Sequence, residues 1–126
     1  MPDLFSTMND TKWRRLLNAI AHIPLPQSYW KFLNDDSEYR RPTPQPDEIL
    51  NDVAVGDTSV VGPFYFRDVQ SVRWPKRYET TFGPHEPPRV FSQPVDELAV
   101  AINAAGQFDI RETNDDLVLY AYNEIG

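Results

Sequence analysis

The chain has 126 residues, twelve prolines, no cysteine and a formal net charge of −7. A chain of this length buries roughly 65% of its unfolded surface and needs no metal or disulfide staple. The missing cysteines exclude disulfides, thiolate nucleophiles, iron–sulfur clusters and Cys-type zinc sites; the acidic balance disfavours nucleic acid and anionic lipid and favours basic partners.

Residues 1–7 read as a loose start. Asn9 or Asp10 then caps a helix that runs to about Ala21. Trp13, Leu16, Leu17 and Ile20 fall on one apolar face of it. Pro24 and Pro26 stop the helix and force an extended exit. Ser28 to Leu33 reads as a strand, with Trp30 and Phe32 on one face and Tyr29, Lys31 and Leu33 on the other. The stretch 34–48 holds Pro42, Pro44 and Pro46 in alternation and five acids. Proline at that density neither continues a helix nor donates to a sheet, so the spacing predicts a long acidic loop.

Ile49 to Val55 fits either a helical turn or a short strand. Ser59 to Phe66 reads as a strand, or as a turn at Gly62-Pro63 followed by a strand over Phe64 to Phe66. Gln70 to Trp74 alternates and is a further strand, ended by Pro75. Residues 75–88 read as another loop, punctuated by Gly83-Pro84 and Pro87-Pro88. Ser92 or Gln93 opens a second helix with Pro94 in its first turn. Its apolar face is Val95, Leu98, Ala99 and Ile102, and Gly106 closes it. Gln107 to Glu112 and Leu117 to Tyr122 form a hairpin around Thr113 to Asp116. The order implies one α+β domain over residues 1–126, a mostly antiparallel sheet with two main helices packed on one face.

No apolar stretch approaches the ~20 residues of a membrane helix, and Met1 to Asp10 lacks the layout of a signal peptide. The expectation is a cytoplasmic protein with no membrane contact. Charge is unevenly spread: residues 1–34 carry +2, 35–57 carry −5, 58–91 carry +2 and 92–126 carry −6.

Catalytic chemistry finds little support. His22 suits a helix end, and His85 beside Glu86 lacks the further ligands that zinc requires. The carboxylates sit in loops and turns, where solvated acids are the ordinary case, and their spacing does not match a calcium loop. No serine stands in a strand–elbow–helix setting, and no glycine-rich phosphate loop is present. Arg67, Arg73, Lys76 and Arg77, interleaved with Phe64, Tyr65, Phe66 and Trp74, have the parts of a single-strand binding platform. Those aromatics alternate like core residues, however, in an acidic chain. The expectation is therefore no catalytic residue, no metal, no cofactor and no nucleic-acid partner.

Met8-Asn9-Asp10-Thr11-Lys12-Trp13-Arg14 resembles the opening of an uncharacterised family of small bacterial proteins that begin with a Met-Asn-x-Thr-Lys-Trp helix. The resemblance continues through Gly62-Pro63-Phe64-Tyr65-Phe66, Val72-Arg73-Trp74, the helix Val95 to Ile102 and the hairpin Phe108 to Tyr122. Leu25-Pro26-Gln27-Ser28-Tyr29-Trp30-Lys31-Phe32-Leu33-Asn34 is similar to a segment of the SUKH superfamily, which includes many toxin-immunity proteins. It departs from that pattern where Asp35 replaces a glycine and where Pro24 and Pro26 break the flanking helix, so the SUKH fold is not assigned. Both resemblances imply a small bacterial protein of immunity type. The resulting expectation is a non-catalytic protein-binding domain that neutralises a basic toxin domain, such as a nuclease, by covering its active or substrate-binding face. The alternative is a regulatory or structural binding module. Asp35, Asp36, Glu38, Asp47, Glu48 and Asp52 would face the partner, with Tyr39 as an aromatic anchor.

Overall fold

The structure, a computed structural model, describes residues 4–56 and 63–124. Strand β1 (Leu4–Ser6) precedes helix α1 (Asp10–Ile20). Next come β2 (Ser28–Phe32), β3 (Glu38–Arg41), β4 (Ile49–Leu50) and β5 (Ala54–Val55). Strands β6 (Phe64–Tyr65), β7 (Val69–Pro75), β8 (Arg77–Thr80) and β9 (Arg89–Ser92) follow. Helix α2 (Val95–Ala105) leads into β10 (Ile110–Glu112), β11 (Asp116–Tyr120) and β12 (Tyr122–Glu124). The result is the expected α+β domain, and every strand pairing among the described residues is antiparallel.

The central sheet has the order β10-β11-β7-β2-β3. Its register sets Ile110, Leu119, Val72, Trp30 and Tyr39 in one row across all five strands. Strand side chains alternate, so this row shares a face with Ser28, Trp74 and Leu117. Trp30, Val72, Trp74, Leu117 and Leu119 on that face are fully buried, together with Trp13, Leu16, Leu17 and Ile20 of α1 and Leu98 and Ile102 of α2. Both helices thus cover one side of the sheet with the apolar stripes read from the sequence. Trp13 stacks on Phe66 at 5.8 Å between centroids and meets Trp30 at the same distance.

Buried polar atoms on this face are paired, as a dry interior demands. Trp30 Nε1–H donates to Ser28 Oγ at 2.8 Å, and Ser28 in turn donates to the Arg41 carbonyl at 2.6 Å. Trp74 Nε1–H donates to Thr43 Oγ1 at 3.0 Å. Buried Gln93 exchanges hydrogen bonds with the Gln27 backbone and donates to the Pro75 carbonyl at 2.8 Å, which ties the approach to α2 to the ends of β2 and β7.

Four expectations change. The acidic stretch 34–48 contains β3, which pairs with β2, and its prolines follow that strand on the sheet's edge, where a missing donor costs nothing. Thr43 pins this proline segment through the Trp74 bond and through its backbone N–H to the Leu25 carbonyl at 3.1 Å. The expected loop 75–88 contains β8, which pairs with β9. Residues 4–6 of the expected loose start form β1, paired with β12. Pro94 caps α2 rather than sitting inside its first turn. The strand expected over Ser59 to Gly62 lies outside the described residues; its continuation at Phe64–Tyr65 is β6.

Candidate functional site

Where β2 ends, its pairing with β7 is irregular between Lys31 and Phe32, and Asn34 turns the chain with φ 63°. Asparagine tolerates that left-handed conformation better than most residues. Asp35 then organises the turn into β3. Its Oδ1 accepts the Ser37 backbone N–H at 2.9 Å, and its Oδ2 accepts the Tyr39 hydroxyl at 2.6 Å. The Leu33 backbone N–H donates to the Asp68 carbonyl at 2.9 Å, which brings the turn Phe66–Asp68 alongside.

Rings line the space between these turns. Phe64 packs on Trp30 at 5.2 Å and on Phe32 at 5.1 Å, and Phe32 meets Tyr39 at 5.8 Å. The chain of rings runs from the core outward and ends in Tyr39, 38% exposed, near Tyr65, 49% exposed. The groove so formed has a volume of about 390 Å³ and is lined by Phe32, Tyr39, Phe64 and Tyr65 together with Asp35 and Asp68. The Tyr39 hydroxyl, then the Ser37 amide, hold the Asp35 carboxyl below its ordinary pKa of 3.8. The same bond from Asp35 raises the Tyr39 phenol above 10.0. Asp35 is therefore a committed anion.

The other acids singled out in the sequence lie elsewhere. Glu38 turns to the opposite sheet face, where both its oxygens accept from Arg73, at 3.1 and 3.2 Å. Glu48 is occupied by its own segment: it accepts from buried Arg41 at 3.2 Å and from the Gln45 backbone at 2.6 Å. Asp52 sits in the β4–β5 turn, 3.8 Å from Arg14 and 75% exposed at its side chain. Asp36 and Asp47 are exposed. Of the seven expected contact residues, the groove brings together only Asp35 and Tyr39. It adds Asp68, Phe32, Phe64 and Tyr65, which the sequence reading did not select. The apolar run Phe64-Tyr65-Phe66 reads as core, and Asp68 follows Arg67 with no local charge excess.

The sheet face away from the helices is also rich in rings and charge. Arg73 lies 4.2 Å over the Tyr29 ring, clamped by Glu38 and by Asp116 at 3.0 Å. Burial pulls its pKa down, and the bonds from Glu38 and Asp116 outweigh that and leave it raised. Arg111 lies 4.6 Å over Tyr120 and bonds Asp109 at 3.3 Å. A cleft of about 440 Å³ beside Arg73 is lined by Tyr29, Arg40, Lys76, Arg77 and Tyr78 among others. The cluster noted in the sequence is thus divided: Phe66 and Trp74 are core, Arg67 lies over Tyr65 at 4.8 Å, and Arg73, Lys76 and Arg77 belong to the open face.

Strands β8 and β9 form a separate ribbon whose Tyr78 and Phe91 stack at 5.5 Å. Arg89 covers Phe82, itself 56% exposed, at 4.7 Å. His22 and His85 are both exposed, and no group of three potential metal ligands exists among the described residues. No described helix is long and apolar enough to cross a membrane. Comparison with protein-family models, with curated proteins and with solved structures finds no match for this chain.

Proposed function

We propose that this protein is a non-catalytic binding domain of immunity type, which neutralises a basic toxin domain by covering its active or substrate-binding face. The observation that carries the reading is the exposed ring-lined groove rimmed by Asp35 and Asp68. Aromatic residues that are half exposed and already rigid lose little entropy on docking, which is why such residues dominate binding energy at interfaces. Asp36 flanks the groove in sequence, and the net charge of −7 steers a cationic partner toward the molecule. The test is co-expression with the products of the neighbouring genes in a growth assay. Restored growth in cells that carry a toxic neighbour supports the reading. Unrelieved toxicity from every neighbour contradicts it.

A regulatory or structural binding module is the second reading, and the β8–β9 ribbon is what favours it. Its exposed Phe82, Val90 and Phe91 are apolar surface that a free-standing hairpin does not need to show.

A further inference from the structure

We infer that the groove between Tyr39 and Tyr65 is the seat for a single arginine side chain of the basic partner, laid against the rings and paired with the carboxylates of Asp35 and Asp68. The inference rests on the protein-binding reading above and names the group that enters this site.

The molecule supplies its own template. On the open sheet face an arginine lies over a tyrosine and is held from the side by carboxylates, and this happens twice: Arg73 on Tyr29 with Glu38 and Asp116, and Arg111 on Tyr120 with Asp109. A guanidinium suits this arrangement because its flat face stacks on a ring while its edge presents several N–H donors to carboxylate oxygens. The groove is lined by the same residue types, tyrosines and aspartates. Among the described residues that line it, none is an arginine or a lysine.

The cations nearby are already engaged. Lys31 Nζ donates to the Asp35 carbonyl and to Gln70 Oε1, each at 2.9 Å; its charge also helps lower the Asp35 carboxyl, but it forms no ion pair with that carboxylate. Arg67 lies over Tyr65 at 4.8 Å and does not line the groove. An ionised carboxylate offers about four lone-pair positions. Asp35 uses one on each oxygen, toward Ser37 and Tyr39, which leaves acceptor capacity for an incoming guanidinium. Asp68 has no side-chain hydrogen bond or ion pair among the described residues, and it is exposed. The volume of about 390 Å³ admits an arginine side chain with room for bridging water. Lysine would satisfy the charge, but its compact ammonium neither stacks nor bridges two carboxylates through a planar edge.

The experiment is an NMR titration of the isotope-labelled full chain with acetyl-Gly-Arg-Gly-amide. The controls are the isosteric citrulline peptide, which lacks the charge, and the lysine peptide. The expected result is saturable amide shifts at residues 32–39 and 64–68 with the arginine peptide, weaker with lysine and absent with citrulline. Asp68→Asn and Tyr65→Ala, both at exposed positions, should each weaken the arginine peptide by roughly 3- to 30-fold. Unfolding midpoints matching the unaltered protein would show that both variants are intact. No shifts at the groove, or equal shifts with arginine and citrulline, would overturn the inference. So would equal affinity for lysine, or unchanged affinity in both intact variants. A captured protein partner that binds Asp68→Asn and Tyr65→Ala as well as the original chain would sink the inference and leave the binding reading standing. Failure to find any partner while the arginine peptide still seats would do the reverse.

Discussion

The two flanks of the β2–β3 hairpin carry similar chemistry put to different use. On the open face, Tyr29 and Tyr120 are each capped by an arginine whose charge is met by carboxylates of the same chain. Around the groove, Tyr39 and Tyr65 stand beside Asp35 and Asp68. Arg67 lies over Tyr65 at 4.8 Å without lining the groove, and no lysine or arginine among the described residues lines the space between the two tyrosines. Charges that find partners inside the fold contribute to its stability. Charges left facing an open groove add little to stability and remain available to another molecule. A surface acid's role therefore follows from whether the fold has already answered it. Glu38, bonded at both oxygens by Arg73, and Asp68, with no side-chain bond or ion pair among the described residues, fall on opposite sides of that line. Asp35, met by a hydroxyl and an amide, lies between them.

The largest effect expected from a single change lies beneath both surfaces. Trp30→Ala removes a fully buried ring that supports Phe64 from below, and should cost about 3–5 kcal/mol. Urea unfolding would measure it, and a loss under 1 kcal/mol would mean that the groove does not stand on the core. A smaller change sharpens the comparison. Arg73→Ala leaves Glu38 and Asp116 without their cation on a partly shielded face and should cost about 1–2 kcal/mol. Arg67→Ala, on the groove side, should cost at most about 0.5 kcal/mol. Equal losses from the two in the same unfolding assay would erase the distinction between the faces.

The Asp35–Tyr39 bond makes a pH prediction. Because the folded carboxyl titrates below its ordinary 3.8, the stabilisation from this bond is present above that pH and disappears as pH falls through the folded value. The Tyr39 phenol is raised above 10.0, so the bond is also lost as pH rises through the folded phenol value. Tyr39→Phe should move the Asp35 titration upward toward 3.8 without reaching it, since the Ser37 amide still lowers it. Carboxyl-carbon NMR would follow the titration, and an unmoved curve would deny the hydrogen bond its part. The smallest expected effect is at the ribbon. Phe82→Ser, at an exposed turn position, should change stability by less than about 0.5 kcal/mol in the urea assay. A larger loss would show that the ribbon's rings hold the fold rather than await a partner.

Sequence reading succeeded where one physical signal dominates. The stripe Trp13, Leu16, Leu17 and Ile20 predicts α1 and its buried face, and the alternation on either side of Thr113 to Asp116 predicts the β10–β11 hairpin. Strand β3 stayed hidden because its neighbours are acids and prolines, and only pairing with β2 makes Glu38–Arg41 extended. Strand β8 is four residues between Pro75 and a proline-rich turn, too short for alternation to register. For the candidate site, charge density drew attention to Asp35 and Tyr39, and it equally drew in Glu48, which the fold spends on Arg41. Asp68 and Tyr65 enter the groove through the contact between the ends of β2 and β6, a long-range neighbourhood that no local pattern encodes.

The most direct test of the central claim is a paired affinity capture. The original chain and an Asp35→Asn, Tyr65→Ala, Asp68→Asn triple variant serve as baits for the products of the neighbouring genes, at low and at high salt, read by mass spectrometry. The expected result is one basic protein retained in stoichiometric amount by the original chain, released by salt and lost by the variant. Retention by both baits alike, or capture of no neighbour by either, would contradict it.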